Sequence, residues 1–250
     1  SERAPNGTWV EHAGADGVEV VADPTTATRY FSEDGYYLHT VTGTDPEHSP
    51  PGRLTGTGGD YLYLNPAASV PNNAVLADSF PFNVVFVLNQ ADISSGLNPA
   101  RLLLGGNQTL YLSDDKAETF TSIGGIVGTA PQPVPNISAT IMAMAFGTLP
   151  NPNVAYVCTS DGYISVTQDI SATNGGFANH VLLPNGEVGL DVVIDENDPM
   201  TAYVVTPANV FMTNSGGSTW TSIKDNLGRL LKPFVLEPSL YNEPFPVGRS

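Results

Sequence analysis

Apolar and polar residues alternate along most of the chain in short runs bounded by Gly, Pro, Asn, Asp or Ser. Runs of about four to eight residues rich in β-branched and aromatic side chains, set between turn residues, are typical of β-strands. Long stretches with an uninterrupted helical period are nearly absent. The pattern therefore predicts an all-β chain of many short strands, which favours a sandwich, a barrel or a propeller. The predicted strands are 18–21, 29–32, 36–41, 61–64, 84–88, 101–104, 109–112, 154–159, 163–167, 188–194, 202–206 and 209–213.

A repeated unit favours the propeller over the other two architectures. The unit is an apolar strand, an Asx-Pro turn and a second apolar strand. It recurs around Pro24, Pro99, Pro152 and Pro199, with a weaker copy at Pro238. An Asn or Asp side chain can bond its own backbone, and Pro fixes φ, so the pair opens a tight turn. A period of about 40–50 residues with four strands is that of a propeller blade.

A second motif lies at a fixed offset from the first. Its two good copies are 113–120 and 213–220, a third begins at 167–169, and the tail of a fourth is 7–9. The motif resembles the Asp-box, or bacterial neuraminidase repeat, which joins the third and fourth strands of blades in sialidases, xyloglucanases and sortilins. The matching positions are Ser113, Asp115, Thr119 and Phe120 in one copy, and Thr213, Gly217, Thr219 and Trp220 in the other.

The resemblance implies a structural role for the two boxes, not a catalytic one. The polar side chains would cap the turn, Gly would supply a positive φ, and the aromatic residue would fix the hairpin to its sheet. Two positions depart from the family pattern. Ser215 replaces the acidic residue in one copy, and Ala117 replaces Gly in the other.

The repeats predict a single propeller domain over 1–250, built of four-stranded antiparallel blades. The segment 42–81 is rich in Pro and Gly and is interpreted as an irregular insertion, and insertions of that length are commonly functional. Either the ring has five blades, or the chain is part of a six- to eight-bladed ring completed by another chain. The predicted blades are 17–80, 83–124, 138–184 and 188–226, with a partial blade formed by 229–250 and 1–12.

Charge and composition narrow the choice of partners. The chain has 9 Lys and Arg against 25 Asp and Glu, a net charge of −16, which argues against nucleic acid and against anionic membrane surfaces. No apolar run approaches the roughly 18 residues of a membrane-spanning helix, so no membrane insertion is expected. Charged residues are only 14% of the chain, while Gly and Pro are abundant. This balance favours a secreted or cell-surface protein that binds a protein or a glycan.

Two carboxylates are the candidate catalytic residues. Asp16, in a turn of small residues, and Asp191 each precede an innermost strand, where the resemblance places the central funnel. A glycosidase needs two carboxylates about 5–10 Å apart. The sialidase reaction is disfavoured, because its arginine clamp and its Phe/Tyr-Arg-Ile-Pro motif have no counterpart. Candidate platforms for a neutral glucan are the aromatic residues Tyr36, Tyr37, Tyr61 and Tyr63.

No cofactor is predicted. Calcium is a weak possibility at 113–115 and 195–198, which offer oxygen ligands without calcium-loop spacing. The first functional hypothesis is a non-catalytic binding or scaffold propeller, because no complete catalytic set is present. The alternative is a glycoside hydrolase of the xyloglucanase-like type acting on neutral polysaccharide. A photosystem-assembly type of propeller fits less well, since those propellers carry a basic patch that this acidic chain lacks.

Overall fold

The computed structural model describes 83–96, 101–106, 109–115, 117, 120–125, 139–170, 177 and 179–224, with the backbone alone at 109, 122 and 124–125. It also describes the backbone of the strands at 2–3, 9–10, 17–23, 28–33, 37–42 and 61–63. The predicted partial blade at 229–250, and all of the 42–81 insertion except Thr42 and 61–63, lie outside these residues. The predicted blade boundaries stay predictions.

Most of the described chain is β-strand. The helical elements with described bounds are α1 (Gln90–Ser94) and a 3-10 turn at Pro184–Gly186. The strands are β1 (Glu2–Arg3), β2 (Trp9–Val10), β3 (Gly17–Asp23), β4 (Thr28–Glu33), β5 (Tyr37–Thr42), β6 (Tyr61–Tyr63), β7 (Phe86–Leu88), β8 (Leu102–Gly105), β9 (Thr109–Ser113), β10 (Thr121–Gly125), β11 (Ile141–Phe146), β12 (Ala155–Thr159), β13 (Tyr163–Thr167), β14 (Asn179–Leu182), β15 (Asp191–Asp195), β16 (Asp198–Val205), β17 (Val210–Thr213) and β18 (Thr221–Ser222).

Sixteen of these strands form four antiparallel sheets of four strands each, in which spatial order follows chain order. We name them sheet I (β3–β6), sheet II (β7–β10), sheet III (β11–β14) and sheet IV (β15–β18). The short strands β1 and β2 pair with each other in a separate hairpin. The first strands of successive sheets contact one another, β3 with β7, β7 with β11 and β11 with β15. The sheets therefore follow one another around a shared line of first strands.

The core lies between neighbouring sheets. In β12, Ala155 and Val157 belong to the cluster shared with sheet II, while Tyr156 and Cys158 belong to the cluster shared with sheet IV. All four side chains are fully buried. Successive residues of a strand point to opposite faces, so a strand that packs between two sheets must be apolar at every position. This explains why the predicted strands read as continuous apolar runs.

The Asx-Pro sites differ between sheets. In sheet III, the Asn151 side chain accepts the Asn153 N–H at 3.1 Å, so this site forms the expected turn. In sheet IV, the chain reverses at Glu196 and Asn197. Asp198 Oδ1 then accepts the Met200 N–H at 3.0 Å across Pro199, the second residue of β16. The Asx-Pro turn is therefore present at both sites, but in sheet IV the reversal between the two strands comes before it. Proline is tolerated near the start of a strand, where no ladder donor is lost from its interior.

Candidate binding site

A small cavity opens where the first strands of sheets II, III and IV meet, with a volume of about 90 Å³. The cavity lies at the C-terminal end of these first strands, where the chain turns toward the second strand of each sheet. We call that end the loop face, formed by 89–96, 147–154 and 196–197. Gln90 is the single polar side chain in the cavity lining, and no carboxylate belongs to it. The lining residues are Val87, Leu88, Gln90, Met144, Ala145, Phe146, Gly147, Val192, Val193 and Ile194.

Helix α1 brings Gln90 to the cavity. Asn89 caps the helix, because its side chain accepts the Asp92 N–H at 3.0 Å. The amide of the same Asn89 donates to the Pro152 carbonyl of sheet III at 2.7 Å. Gly147 lies against this amide at φ +79°, and a Cβ there would overlap Asn89 Oδ1. The close approach of α1 to sheet III therefore requires glycine at this position.

Arg101 fixes the loop face of sheet II to that of sheet III. Its guanidinium makes two bonds to Asp92, at 2.9 and 3.2 Å, and donates to Asn153 Oδ1 at 2.8 Å and to the Pro152 carbonyl at 3.0 Å. The same group lies 5.4 Å from the centre of the Phe146 ring. A bidentate Arg–carboxylate pair of this kind gives strong geometric specificity. These bonds are all made within the protein and hold the loops of sheets II and III together. Arg101 therefore positions the cavity wall that these loops form.

The loop face continues into sheet IV through Glu196. The backbone carbonyl of Glu196 accepts the Leu149 N–H at 3.0 Å, and its side chain accepts the Ser94 hydroxyl at 3.2 Å. One turn therefore receives bonds from both sheet III and α1 of sheet II. Asp195 and Glu196 directly follow Ile194, a lining residue, so they place acidic groups at the cavity rim.

The two predicted catalytic carboxylates are not brought together by any described contact. Asp16 lies outside the described residues. Asp191 is exposed at the start of β15, at the end opposite the loop face, and its Oδ1 accepts the Val192 N–H at 2.8 Å. Nearby Glu187 bonds to Thr206 and Asn209 of the next loop. The hydrogen bond from Thr206 has the largest effect on the Glu187 pKa and lowers it, and the bond from Asn209 lowers it further. The Glu187 carboxyl group therefore stays ionised.

The predicted tyrosine platforms lie partly within the described backbone. Tyr37 begins β5, and Tyr61 and Tyr63 bound β6. Tyr37 and Tyr63 are direct partners in the ladder between these strands. Tyr36 lies outside the described residues. The backbone brings Tyr37 and Tyr63 together on one pair of strands, and their glycan-binding role stays a prediction.

The box at 213–220 forms a turn anchored by a hydroxyl. Thr213 Oγ1 accepts the N–H of Ser215 at 3.2 Å and that of Gly217 at 3.1 Å. The hydroxyls of Ser215 and Thr219 lie 2.9 Å apart. Trp220 is buried between sheets III and IV and meets Tyr156 edge to face, with ring centres 6.4 Å apart. The turn therefore fastens sheet IV to sheet III.

The box at 113–120 repeats this geometry in sheet II. Ser113 Oγ accepts the N–H of Ala117 at 2.9 Å and donates to Asp115 Oδ1 at 2.9 Å. Ala117 has φ +66° and is buried, and Phe120 packs against the same cluster of sheet II. Thr119 lies outside the described residues. Assignment of either turn to the Asp-box family stays a prediction.

Sheet III holds a serine–histidine contact that sequence reasoning did not find. Ser165 Oγ lies 2.8 Å from His180 Nδ1, because the two residues are direct partners between β13 and β14. His180 stacks on Tyr163, and burial lowers its pKa against the opposing effect of Asp161. Ser165 is fully buried, so a substrate cannot reach its hydroxyl. The pair is structural.

The single cysteine is also inert in the folded chain. Cys158 is fully buried in the cluster between sheets III and IV. Burial, with a smaller effect of the Asp191 charge, raises the pKa of its thiol to about 12. A nucleophilic cysteine works as the thiolate. Cys158 is therefore a core residue.

The calcium sites suggested at 113–115 and 195–198 use their oxygens in the turns themselves. Asp195 Oδ1 accepts the Asn197 N–H at 2.9 Å, and Asp198 accepts from Met200 and Thr201 at 3.0 and 2.8 Å. Within the described part of the chain, no group of three or more His, Cys, Asp or Glu residues gathers to hold a metal ion. The same residues contain no helix long and apolar enough to cross a membrane.

Solved propeller structures resemble this one. An ancestral GH74 enzyme matches with a TM-score of 0.53 and 16% identity over 84% of this chain and 24% of that enzyme. The β-propeller domain of Cps50 (Swd1) from Myceliophteria thermophila matches with a TM-score of 0.51 and 9% identity over 81% and 53%. YCF48 from Cyanidioschyzon merolae matches with a TM-score of 0.49 and 10% identity over 86% and 61%.

The chain has a β-propeller fold. The four antiparallel four-stranded sheets and the propeller neighbours confirm the predicted fold class. The chain spans less than two thirds of the length of each of these three structures. At these identities the likeness establishes the fold alone, since propellers host many unrelated functions. No protein-family model and no curated protein matches the sequence.

Proposed function

We propose that this propeller is a non-catalytic binding or scaffold protein that acts outside the cell. The observation that supports the proposal is the apolar lining of the cavity at the first strands. Glycoside hydrolysis requires two carboxylates about 5–10 Å apart around the substrate. The described cavity offers one amide and no carboxylate, and Asp191 lies at the other end of β15.

The cavity favours a protein over a glycan as the bound partner. Sugar hydroxyls need convergent polar groups, whereas an aliphatic side chain needs only apolar contact. A volume of about 90 Å³ accepts a single side chain of a partner, in the manner of a buried anchor residue. Asp195 and Glu196 at the rim, with the net charge of −16, favour basic residues beside that anchor.

The two boxes have a structural role in this proposal. Each turn holds its hairpin through one hydroxyl and one aromatic residue, and the box at 213–220 also joins two sheets. A rigid scaffold of this kind keeps a small cavity in shape for its partner, which reduces the entropy lost on binding. The binding surface is then the loop face, and the Asp-box residues only support it.

Peptide selection tests the proposal directly. The purified chain is immobilised and exposed to a random dodecamer display library. We expect recovered peptides to share an aliphatic residue flanked by Lys or Arg. Their affinity should fall roughly tenfold on Ala145→Leu, because about 1.4 kcal/mol of anchor contact is lost when the cavity is filled. Glu196→Gln should weaken them less, since it removes a rim charge and keeps an acceptor for Ser94.

Two controls make the selection decisive. Asp114→Asn removes an exposed acid from sheet II outside the cavity and should leave affinity unchanged. Circular dichroism shows that each variant is folded. Peptides that bind equally well to Ala145→Leu would overturn the cavity as the site. Release of reducing ends from xyloglucan, lost in Asp191→Asn, would instead establish the glycoside hydrolase.

A further inference from the structure

Met200 lies where the turn of the sheet IV box meets sheet III. It is 41% exposed and is the most exposed of the four methionines, since Met142 is 37% exposed and the other two are more buried. Its backbone is fixed at both polar groups. The Met200 N–H donates to Asp198 Oδ1 at 3.0 Å, and its carbonyl accepts the Gly216 N–H at 2.9 Å. The place of this side chain is therefore set by the two turns that bond its backbone.

The amide of Gln168 comes to the same place from sheet III. Gln168 directly follows β13, the third strand of that sheet. Gly216 has no Cβ, and the point where one would stand lies 3.1 Å from Met200 Sδ and 3.3 Å from Gln168 Nε2. The thioether sulfur and the amide nitrogen therefore lie beside the same glycine, on the side where a side chain would project.

The Gln168 amide has an unused donor. Its Oε1 accepts from Asn151 Nδ2 at 3.3 Å, but its Nε2 is buried and has no partner among the described residues. A buried donor without an acceptor destabilises the fold, because it has lost its bonds to water. A thioether sulfur is only a weak acceptor, so the reduced Met200 side chain does little for this amide. A strong acceptor oxygen on the Met200 sulfur would satisfy it.

We propose that Met200 is a site of reversible oxidation by hydrogen peroxide, and that its sulfoxide oxygen accepts a hydrogen bond from Gln168 Nε2. In this step the sulfur lone pair attacks one peroxide oxygen, the O–O bond breaks and an S=O bond forms. The other oxygen leaves as water with both peroxide protons. The sulfur is oxidised by two electrons, and the peroxide is reduced. Methionine sulfoxide reductases return such a sulfoxide to the thioether.

Oxidation at this site strengthens the contact between sheets III and IV. A methionine sulfoxide commonly disrupts a core, because it places a polar group among apolar side chains. The Met200 side chain is partly in water, and its new oxygen meets a donor that lacks a partner. This inference goes beyond the proposed binding function and does not rest on it. Its readouts are the oxidation and unfolding of the chain alone, so either proposal can fail without the other.

Peroxide treatment of the full chain tests the site. Met142→Leu removes the other exposed methionine, and Cys158 is fully buried, so its thiol is protected in the folded chain. We expect peptide mass spectrometry to find the added oxygen on Met200 at least tenfold sooner than on the buried Met144 or the half-buried Met212. Thermal unfolding of the oxidised chain should come about 2–4 °C above that of the reduced chain, the shift expected from one gained hydrogen bond. Equal oxidation rates, or a Tm that stays unchanged or falls, would overturn the proposal.

Further variants assign the effect to the amide. Gln168→Glu keeps Oε1 as an acceptor for Asn151 and replaces the Nε2 donor by an oxygen, so oxidation should no longer raise Tm. Met200→Gln carries an amide oxygen in place of the sulfoxide oxygen, and without peroxide it should have a higher Tm than Met200→Leu. This second pair leaves Gln168 intact, so it tests the contact even where Gln168→Glu does not fold. A rise in Tm that persists in Gln168→Glu would refute the role of the amide, and so would equal Tm values for Met200→Gln and Met200→Leu.

Discussion

The turns at 113–120 and 213–220 solve the same geometric problem with different residues. In each, the hydroxyl of the first residue accepts the backbone N–H four residues later, Ser113 from Ala117 and Thr213 from Gly217. In each, that later residue has a positive φ, +66° for Ala117 and +85° for Gly217. The shared part is therefore the hydroxyl and the backbone conformation, since glycine is present in only one turn.

The difference lies in what each turn packs against. A Cβ on Gly217 would overlap Val166 of sheet III, so this turn needs glycine for space as well as for φ. Ala117 is buried in the cluster of sheet II, where its methyl group packs among the apolar side chains of that sheet. The comparison teaches that the turn conformation alone admits alanine, and that overlap with Val166 is what requires glycine at 217.

The largest expected effect is at the aromatic end of the sheet IV box. Trp220→Ala should destabilise the fold by roughly 3–5 kcal/mol, because it leaves a cavity beside Tyr156 between two sheets. Urea denaturation followed by circular dichroism measures this loss. Trp220→Phe is the control and should cost less than about 1.5 kcal/mol, because it keeps an aromatic ring at this position. It also removes a buried indole N–H that has no partner among the described residues. A loss of equal size in both variants would contradict the role of the ring contact.

The glycine of the same box comes next. Gly217→Ala should cost roughly 2–4 kcal/mol, because the new methyl group adds both left-handed strain and overlap with Val166. Gly216→Ala is the matched control. Its φ is +64°, but its Cβ would meet the flexible end of Met200 at 2.8 Å, so only the strain should remain. Equal destabilisation by the two variants would show that the packing against sheet III is unimportant.

The anchoring hydroxyl should have an intermediate effect. Thr213→Val keeps the shape of the side chain but leaves the buried Gly217 N–H without its acceptor, at a cost of roughly 1–3 kcal/mol. Thr213→Ser retains the hydroxyl, as Ser113 does in the other box, and should lose less than half as much. Thermal unfolding of the three proteins in parallel gives the ranking. A Ser variant as weak as the Val variant would contradict hydroxyl anchoring.

The smallest effect is expected for the reverse exchange in sheet II. Ala117→Gly relieves the strain of a positive φ but loses a buried methyl group and adds chain entropy, so the net change should lie within about 1 kcal/mol of zero. Urea denaturation checks this value against Gly217→Ala. A loss of stability above about 2 kcal/mol for Ala117→Gly would contradict the expectation that this exchange is milder than Gly217→Ala.

The fold class was predictable because its signal is carried by side-chain type alone. Strands buried on both faces, such as Ala155–Thr159, read as apolar runs, and the boxes keep a fixed distance from them. The Asx-Pro bond at Asp198 and Pro199 was predictable, but the chain reversal just before it, at Glu196 and Asn197, was not. Propensity cannot distinguish a proline in a turn from one at the start of the following strand.

The candidate site was largely outside the reach of sequence. The cavity is formed by three strands that are far apart in the chain, and its residues look like ordinary core residues. Helix α1 is too short for a periodic signal, although Asn89 and Asp92 have the spacing of a helix cap. The pair of Arg101 with Asp92 joins residues nine positions apart, and no local rule predicts that contact.

The meandering order of the sheets has a consequence for how the chain reaches its fold. Every ladder in sheets I to IV joins strands that are adjacent in sequence, so each sheet can form before the next segment exists. Local contacts of this kind speed folding, because little loop entropy is lost before they form. Sheets III and IV should then behave as successive cooperative units whose amide protons exchange on separate timescales. A chain emerging from the ribosome could thus lay down its structure one sheet at a time.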